Sequence, residues 1–171
     1  MFKFSRCKKD DIVGICLDKG FDVIISIIAI LKVGAAYMPV DPGYPKERIA
    51  FMLEDARPQI IISSAKYFDL FGNDVTVISD IHNQEIDSLP GNNSAWENNI
   101  GSYTYVLFTS GSTGRPKGVL MRQKALVNLI EWQLKDSEMA PGSKTLNFSP
   151  ITFDVSFQEI FTTLAIGGAL F

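Results

Sequence analysis

The sequence predicts an α/β fold built on largely parallel sheets flanked by helices. Three observations lead there. From residue 12 onward, short runs rich in β-branched residues alternate with stretches of helical period, the pattern of βα units. Gly, Pro and Asp clusters punctuate these runs. A segment dense in glycine and hydroxyl residues, 109–118, comes directly after an apolar run. That is where open α/β sheets take ligands, outside the carboxyl ends of their strands.

Taken in order, Ile12 to Leu17 (IVGICL) is a short apolar strand. Phe21 to Val33 reads as a helix that is apolar nearly all round and therefore buried. Asp22 in its first turn and Lys32 in its last complement the dipole, and Gly34 is a natural C-cap. Ala35 to Val40 is extended and runs into a turn at Pro39-Val40-Asp41-Pro42-Gly43. Lys46 to Ala56 is amphipathic, with Ile49, Met52, Leu53 and Ala56 on one face, and Pro58 stops it. Gln59 to Ser63 and Val75 to Ile78 are the next strands. The stretch 80–100, with its Asn, Gly and Pro, is the least regular and marks a boundary between subdomains.

Tyr103 to Phe108 (YTYVLF) and Gly118 to Met121 (GVLM) read as strands on either side of the glycine-rich segment. Gln123 to Asp136 is a helix packing through Leu126, Leu129, Ile130 and Leu134. Pro141-Gly142 breaks the pattern, and Thr145 to Phe148 is extended again. Ser156-Phe157-Gln158-Glu159 fits the S-x-x-E capping box, so a helix is expected to start at Ser156. The final residues, GGALF, look like the opening of another strand with no closing element, as in a truncated domain.

At 171 residues and 46% hydrophobic, the chain can bury a core as one domain. A net charge of −3, with no basic cluster beyond Lys8-Lys9, argues against a nucleic-acid partner. Met1 to Asp11 lacks the apolar region of a secretory signal. Lys32 and Gly34 interrupt the most apolar stretch, leaving runs far short of the ~20 residues of a spanning helix. The expectation is a cytoplasmic protein with no membrane partner. Cys7 and Cys16 match no zinc or thioredoxin spacing, so no metal site is expected of them. His82 is the single histidine, and no Ser-His-Asp or Cys-His hydrolase can be assembled around it.

The segment Thr109 to Gly118, TSGSTGRPKG, carries the chemistry. Small side chains leave backbone N–H groups open, and glycines let a loop fold around an anion. Thr109, Ser110, Ser112 and Thr113 add hydroxyl donors, Gly111 and Gly114 add freedom, and Lys117 adds a positive charge. Such a loop is suited to a polyphosphate. A flexible Ser/Gly linker has similar composition, but linkers are seldom anchored by a strand at each end. Nor is it a Walker P-loop: counted from Gly111, that pattern requires glycine at 116 and Ser or Thr at 118, where this chain has Pro116 and Gly118.

YVLFTSGSTGRPKGVL resembles the phosphate-loop signature of the adenylate-forming (AMP-binding) superfamily of acyl-CoA synthetases, luciferases and nonribosomal peptide synthetase adenylation domains. LKVGAAYMPVD, from Leu31 to Asp41, with the PGYPKERIAFMLEDARPQIII after it, resembles the second core motif of the peptide synthetase branch. Phe153 to Ser156, FDVS, resembles that branch's FDxS motif. The three stand in family order across nearly the whole chain. The resemblance implies that residues 1–171 are part of the large N-terminal subdomain of an adenylation domain, truncated at both ends.

The same resemblance implies roles for individual residues. Thr109, Ser110, Gly111, Ser112, Thr113, Gly114 and Lys117 would hold the phosphates of ATP or pyrophosphate. Asp154 would pair with the α-ammonium of an amino acid substrate, while Val155 and Gln158 match side-chain-pocket positions with a proline-like opening. From pattern alone, Asp154 would merely complement a helix dipole. The catalytic lysine, the Mg²⁺-binding acid and the adenine contacts match nothing in these residues. No catalytic residue or metal ligand is therefore assigned, and the 171 residues alone are expected to be inactive. A mobile C-terminal subdomain and a carrier domain bearing phosphopantetheine would be the partners. Gln123 stands where the family often has histidine. An acyl- or aryl-CoA synthetase would share the loop, and a non-catalytic nucleotide-binding remnant or interaction module is the alternative of another class.

Overall fold

The computed structural model describes residues 7–72, 76–78, 100–111 and 115–171. Its centre is a six-stranded sheet made of β1 (Ile12–Cys16), β2 (Ala36–Pro39), β3 (Ile60–Ser63), β4 (Thr76–Ile78), β5 (Tyr103–Thr109) and β6 (Lys117–Arg122). Their order across the sheet is β4-β3-β1-β2-β5-β6. All neighbours run parallel except β5 and β6, which form an antiparallel hairpin in which Thr109 faces Lys117. The α/β expectation therefore holds, with one antiparallel edge.

Side chains of the central strands are buried on both faces, and they alternate between two cores as a pleated strand requires. Val13, Ile15, Tyr37, Ile60, Ile62, Tyr105 and Leu107 point to one face. Cys16, Met38, Ile61, Val106 and Phe108 point to the other. The first face is covered by α1 (Phe21–Lys32) through Val23, Ile27 and Ile30, and by α4 (Asp154–Ala165) through Phe157 and Ile160. The second is covered by α2 (Lys46–Ala56) through Ile49 and Met52. Burying such an aliphatic side chain is worth about 1.5–3 kcal/mol, so these two layers, rather than helix propensity, hold α1 and α2 in place.

Local signals explain the helix ends. Past α1, the Ala35 N–H bonds to the Ile30 carbonyl and the Gly34 N–H to that of Leu31, closing a Schellman turn with Gly34 at φ 76°. The apposed Ile30 and Ala35 are both fully buried. α2 ends where Arg57 turns left-handed at φ 47°, one residue ahead of Pro58. α3 (Gln123–Asp136) lies beside α4, and the Thr162 hydroxyl donates to Gln133 Oε1 at 3.0 Å. A two-stranded parallel sheet joins β7 (Lys144–Thr145) to β8 (Ala169–Leu170).

Four expectations need correction. α1 is not buried all round: Phe21 is 86% exposed and Ile25 50%. Only one of its faces meets the sheet, although its sequence does not say which. On α3 only Leu126 is fully buried, while Leu129, Ile130 and Leu134 are half-buried at its flank. The strand expected at 145–148 is confined to Lys144–Thr145. Finally, α4 begins at Asp154, two residues before Ser156, and no capping box forms. Ser156 Oγ donates to the Phe153 carbonyl at 2.6 Å, and Glu159 turns away to accept from Ser149. Residues 80–99 of the expected boundary, with His82, lie outside the described residues. Among the described residues no helix is long and apolar enough to cross a membrane.

Candidate functional site

The glycine-rich segment links β5 to β6 at the carboxyl end of β5, as the topology of an open sheet would suggest. Thr109, Ser110 and Lys117 are exposed there. Gly111 is required by a close approach: a Cβ on it would lie 2.1 Å from the Arg115 carbonyl oxygen and 3.4 Å from Lys117 Cε. Gly111 thus lies against the backbone of Arg115. Ser112, Thr113 and Gly114 lie outside the described residues.

Beside the hairpin opens a cleft of about 660 Å³. Tyr105, Leu107, Phe108, Thr109 and Ser110 of β5 and its continuation form one part of its wall, with Val119 and Met121 of β6. Pro150, Thr152, Phe153 and Asp154 form another, and Asp41, Tyr44 and Arg48, from the β2–α2 turn and α2, complete it. The structure therefore brings Thr109, Ser110 and Asp154 to a single cleft, although 44 positions (154 − 110) separate Ser110 from Asp154 in the chain. Lys117, Val155 and Gln158 are not part of its lining. Val155 is instead 49% exposed.

Each wall is braced. Asp154 is the first residue of α4, where a carboxylate favours the positive end of the helix dipole. Behind it, Tyr105 stacks edge-on to Phe157 at 5.9 Å, and Phe157 stacks on Phe161 at 4.2 Å. Tyr105 also meets Tyr37 at 5.8 Å. Burial, reinforced by the Asp154 charge, pushes the Tyr105 hydroxyl above its ordinary range. It is a neutral phenol at physiological pH. Glu159 accepts from the Ser149 N–H at 3.1 Å and from Ser149 Oγ at 2.9 Å, tying the segment that carries Pro150 and Thr152 to α4. Asp41 Oδ1 accepts from the Gly43 N–H at 2.8 Å, shaping the turn before α2.

Sequence reasoning missed Asp41, Tyr44 and Arg48 as cleft residues, and no local signal singles them out. Arg48 is a cation in the first turn of a helix, where the dipole disfavours it, but so is Lys46, which does not line the cleft. Among the described residues no group of three or more His, Cys, Asp or Glu side chains could hold a metal ion.

An open, mostly parallel sheet with a hydroxyl- and glycine-rich loop at a strand end, a facing helix start and a cleft between them is the architecture of an α/β domain whose open side lies at the strand ends. The chain belongs to the AMP-binding enzyme family, whose model matches residues 5–171. It is 38% identical over 164 residues to bacitracin synthase 3 of Bacillus licheniformis, an alignment that covers 94% of this chain and 3% of that protein. Among solved structures it resembles the nonribosomal peptide synthetase FmoA3, with a TM-score of 0.85 and 25% identity over 96% of this chain and 17% of that one. It also resembles a four-domain nonribosomal peptide synthetase bound to AMP and glycine, with a TM-score of 0.77 and 27% identity over 95% of this chain and 12% of that one. The chain thus spans only a small part of the length of the relatives it matches.

Proposed function

We propose that these residues form the nucleotide- and amino-acid-facing part of an adenylation domain in nonribosomal peptide synthesis. The observation that carries this is the opening of Thr109, Ser110 and Asp154 onto one cleft. A polyphosphate-holding loop and an ammonium-selecting carboxylate must share a space if an amino acid and ATP are to react there. The similarity to a synthetase solved with AMP and glycine supports the same ligand pair.

In this reading the amino acid carboxylate attacks the α-phosphorus of ATP. The bond to the bridging oxygen breaks, and pyrophosphate leaves with that electron pair. Thr109, Ser110, Gly111, Ser112, Thr113, Gly114 and Lys117 hold the leaving phosphates, so that their charge is offset as it develops. Asp154 takes the α-ammonium through a charge-assisted hydrogen bond, which prefers amino acids to plain carboxylic acids. Val155 and Gln158 keep, in this reading, the side-chain-pocket role that the family resemblance gives them, beside Asp154 at the start of α4. ATP would be used with Mg²⁺; among the described residues no group of three or more His, Cys, Asp or Glu gathers to hold an ion, and we assign no ligand to it. A carrier domain's phosphopantetheine, when present, would supply the thiol that accepts the aminoacyl group, with AMP as the leaving group.

The test is amino-acid-dependent ATP–pyrophosphate exchange, run on a protein that carries these residues in a complete adenylation domain. Exchange that needs an amino acid, and not its desamino analogue, is the expected result. Exchange with fatty or aryl acids alone would move the reading to an acyl- or aryl-CoA synthetase. The 171 residues by themselves are expected to give no exchange above a no-enzyme blank.

A further inference from the structure

The cleft at the end of β5 is bordered by two carboxylates, Asp41 and Asp154, and by one cationic side chain among the described residues, Arg48. Lys117, the cation of the loop, is not part of that wall. Arg48 is held by stacking: its guanidinium carbon lies 4.1 Å from the centroid of the Tyr44 ring. Its Nε is buried without a hydrogen-bond partner. Among the described residues the side chain makes no ion pair, although two carboxylates share its cleft.

A buried donor left without an acceptor carries a desolvation cost that an incoming oxygen can remove. An arginine oriented by an aromatic face, with its fork open, suits planar recognition of phosphate or carboxylate oxygens. Two arguments favour phosphate. A polyphosphate on the Thr109–Ser110 wall brings more negative charge into a space already edged by two carboxylates, and Arg48 is the cation of that lining able to offset it alongside the loop's Lys117. In addition, α2 packs against β6, the strand into which the loop runs. The geometry points to Arg48 as a phosphate-binding residue of the cleft, its guanidinium taking nucleotide phosphate oxygens alongside Thr109 and Ser110. This inference rests on reading the chain as part of an adenylation domain.

The test uses a complete adenylation domain carrying these residues, as wild type and as Arg48→Gln, Arg48→Lys and Lys117→Ala. KM is measured for ATP, for pyrophosphate in the reverse direction, and for the amino acid. A charge-assisted bond lost on one side corresponds to about a ten- to hundredfold change. Arg48→Gln is expected to raise the ATP and pyrophosphate KM by that factor while leaving the amino acid KM near wild type. Arg48→Lys, which keeps the charge but loses the fork, should fall between. Thermal unfolding of each variant guards against misfolding, and Arg48→Lys keeps the test open should Arg48→Gln fail to fold. If Lys117→Ala raises the pyrophosphate KM and neither Arg48 variant does, the inference fails and the proposed function stands. A rise confined to the amino acid KM would assign Arg48 to the substrate carboxylate and also overturn it. Should the wild type catalyse no exchange, the functional reading fails. Arg48 is then judged by direct binding of inorganic pyrophosphate to the 171-residue chain, where equal affinity of wild type and Arg48→Gln refutes it.

Discussion

Gly111 and Arg115 are locked together by geometry: a methyl group on Gly111 would lie 2.1 Å from the Arg115 carbonyl oxygen, far inside van der Waals contact. The obstructing atom is backbone, so no rotamer change relieves it. Gly111→Ala must therefore open the loop. Misplacing catalytic groups by about 1 Å can cost on the order of a hundredfold, and a loss of that order in kcat/KM for ATP is expected in a complete adenylation domain. The melting temperature should hardly move, since Thr109 and Ser110 beside it are exposed. An unchanged ATP dependence would show that the turn between β5 and β6 does not shape the phosphate site.

Lys117 opens β6 opposite Thr109, and its charge is expected to face the departing pyrophosphate. Lys117→Ala should accordingly lower kcat by more than it raises the amino acid KM, the pattern of an interaction strengthened in the transition state. Steady-state kinetics with each substrate varied in turn reads this. An effect on the amino acid KM alone would assign the loop to the other ligand.

Asp154 distinguishes an amino acid substrate from a plain acid. Removing one partner of a desolvated charge pair costs about 2–5 kcal/mol. The carboxylate is exposed in this chain, so the lower end applies, roughly a thirtyfold loss in kcat/KM. Asp154→Ala should produce that loss with the amino acid and almost none with its desamino analogue. Equal losses on both would reduce Asp154 to a helix-dipole partner.

Cys7 and Cys16 are free thiols, and burial, aided by nearby carboxylates, pushes each up to about 11. Ser63, by hydrogen bonding Cys16, opposes this only in part. At pH 8 the native thiolate fraction is then about 0.1%, so iodoacetamide should label the folded chain at least about a hundredfold more slowly than the denatured one. The same shift links stability to pH. The folded state holds these protons above the unfolded value near 8.5, so their contribution is complete below about pH 8.5 and is lost as pH rises towards 11. Urea midpoints across about pH 7–10 should fall accordingly, and Cys16→Ser should flatten the slope. Rapid native labelling at about pH 8 would contradict the burial.

Much of the fold was legible locally. The helices Lys46–Ala56 and Gln123–Asp136 fall where the 3.6-residue period and the breaks at Pro58 and Pro141-Gly142 put them. Gly34 could be read as a C-cap because a left-handed residue must come after the helix there, and glycine is the residue without a penalty. The capping box at Ser156 misled for a local reason as well. Its two side chains had competing partners, the Phe153 carbonyl for Ser156 and Ser149 for Glu159, and the second of these comes from outside the helix.

By itself, the sequence determined the order of strands and helices, the glycine-rich loop at the end of Tyr103–Thr109, and the acid ahead of Ser156, because each is written in neighbouring residues. Only the tertiary structure decided which strands pair, which side of Phe21–Lys32 faces water, and that Arg48 shares a cleft with Ser110 and Asp154. Those outcomes depend on contacts between residues far apart in the chain, where the free energy of closing loops and burying two faces of one sheet selects the arrangement. No local pattern of charge or hydrophobicity encodes that choice.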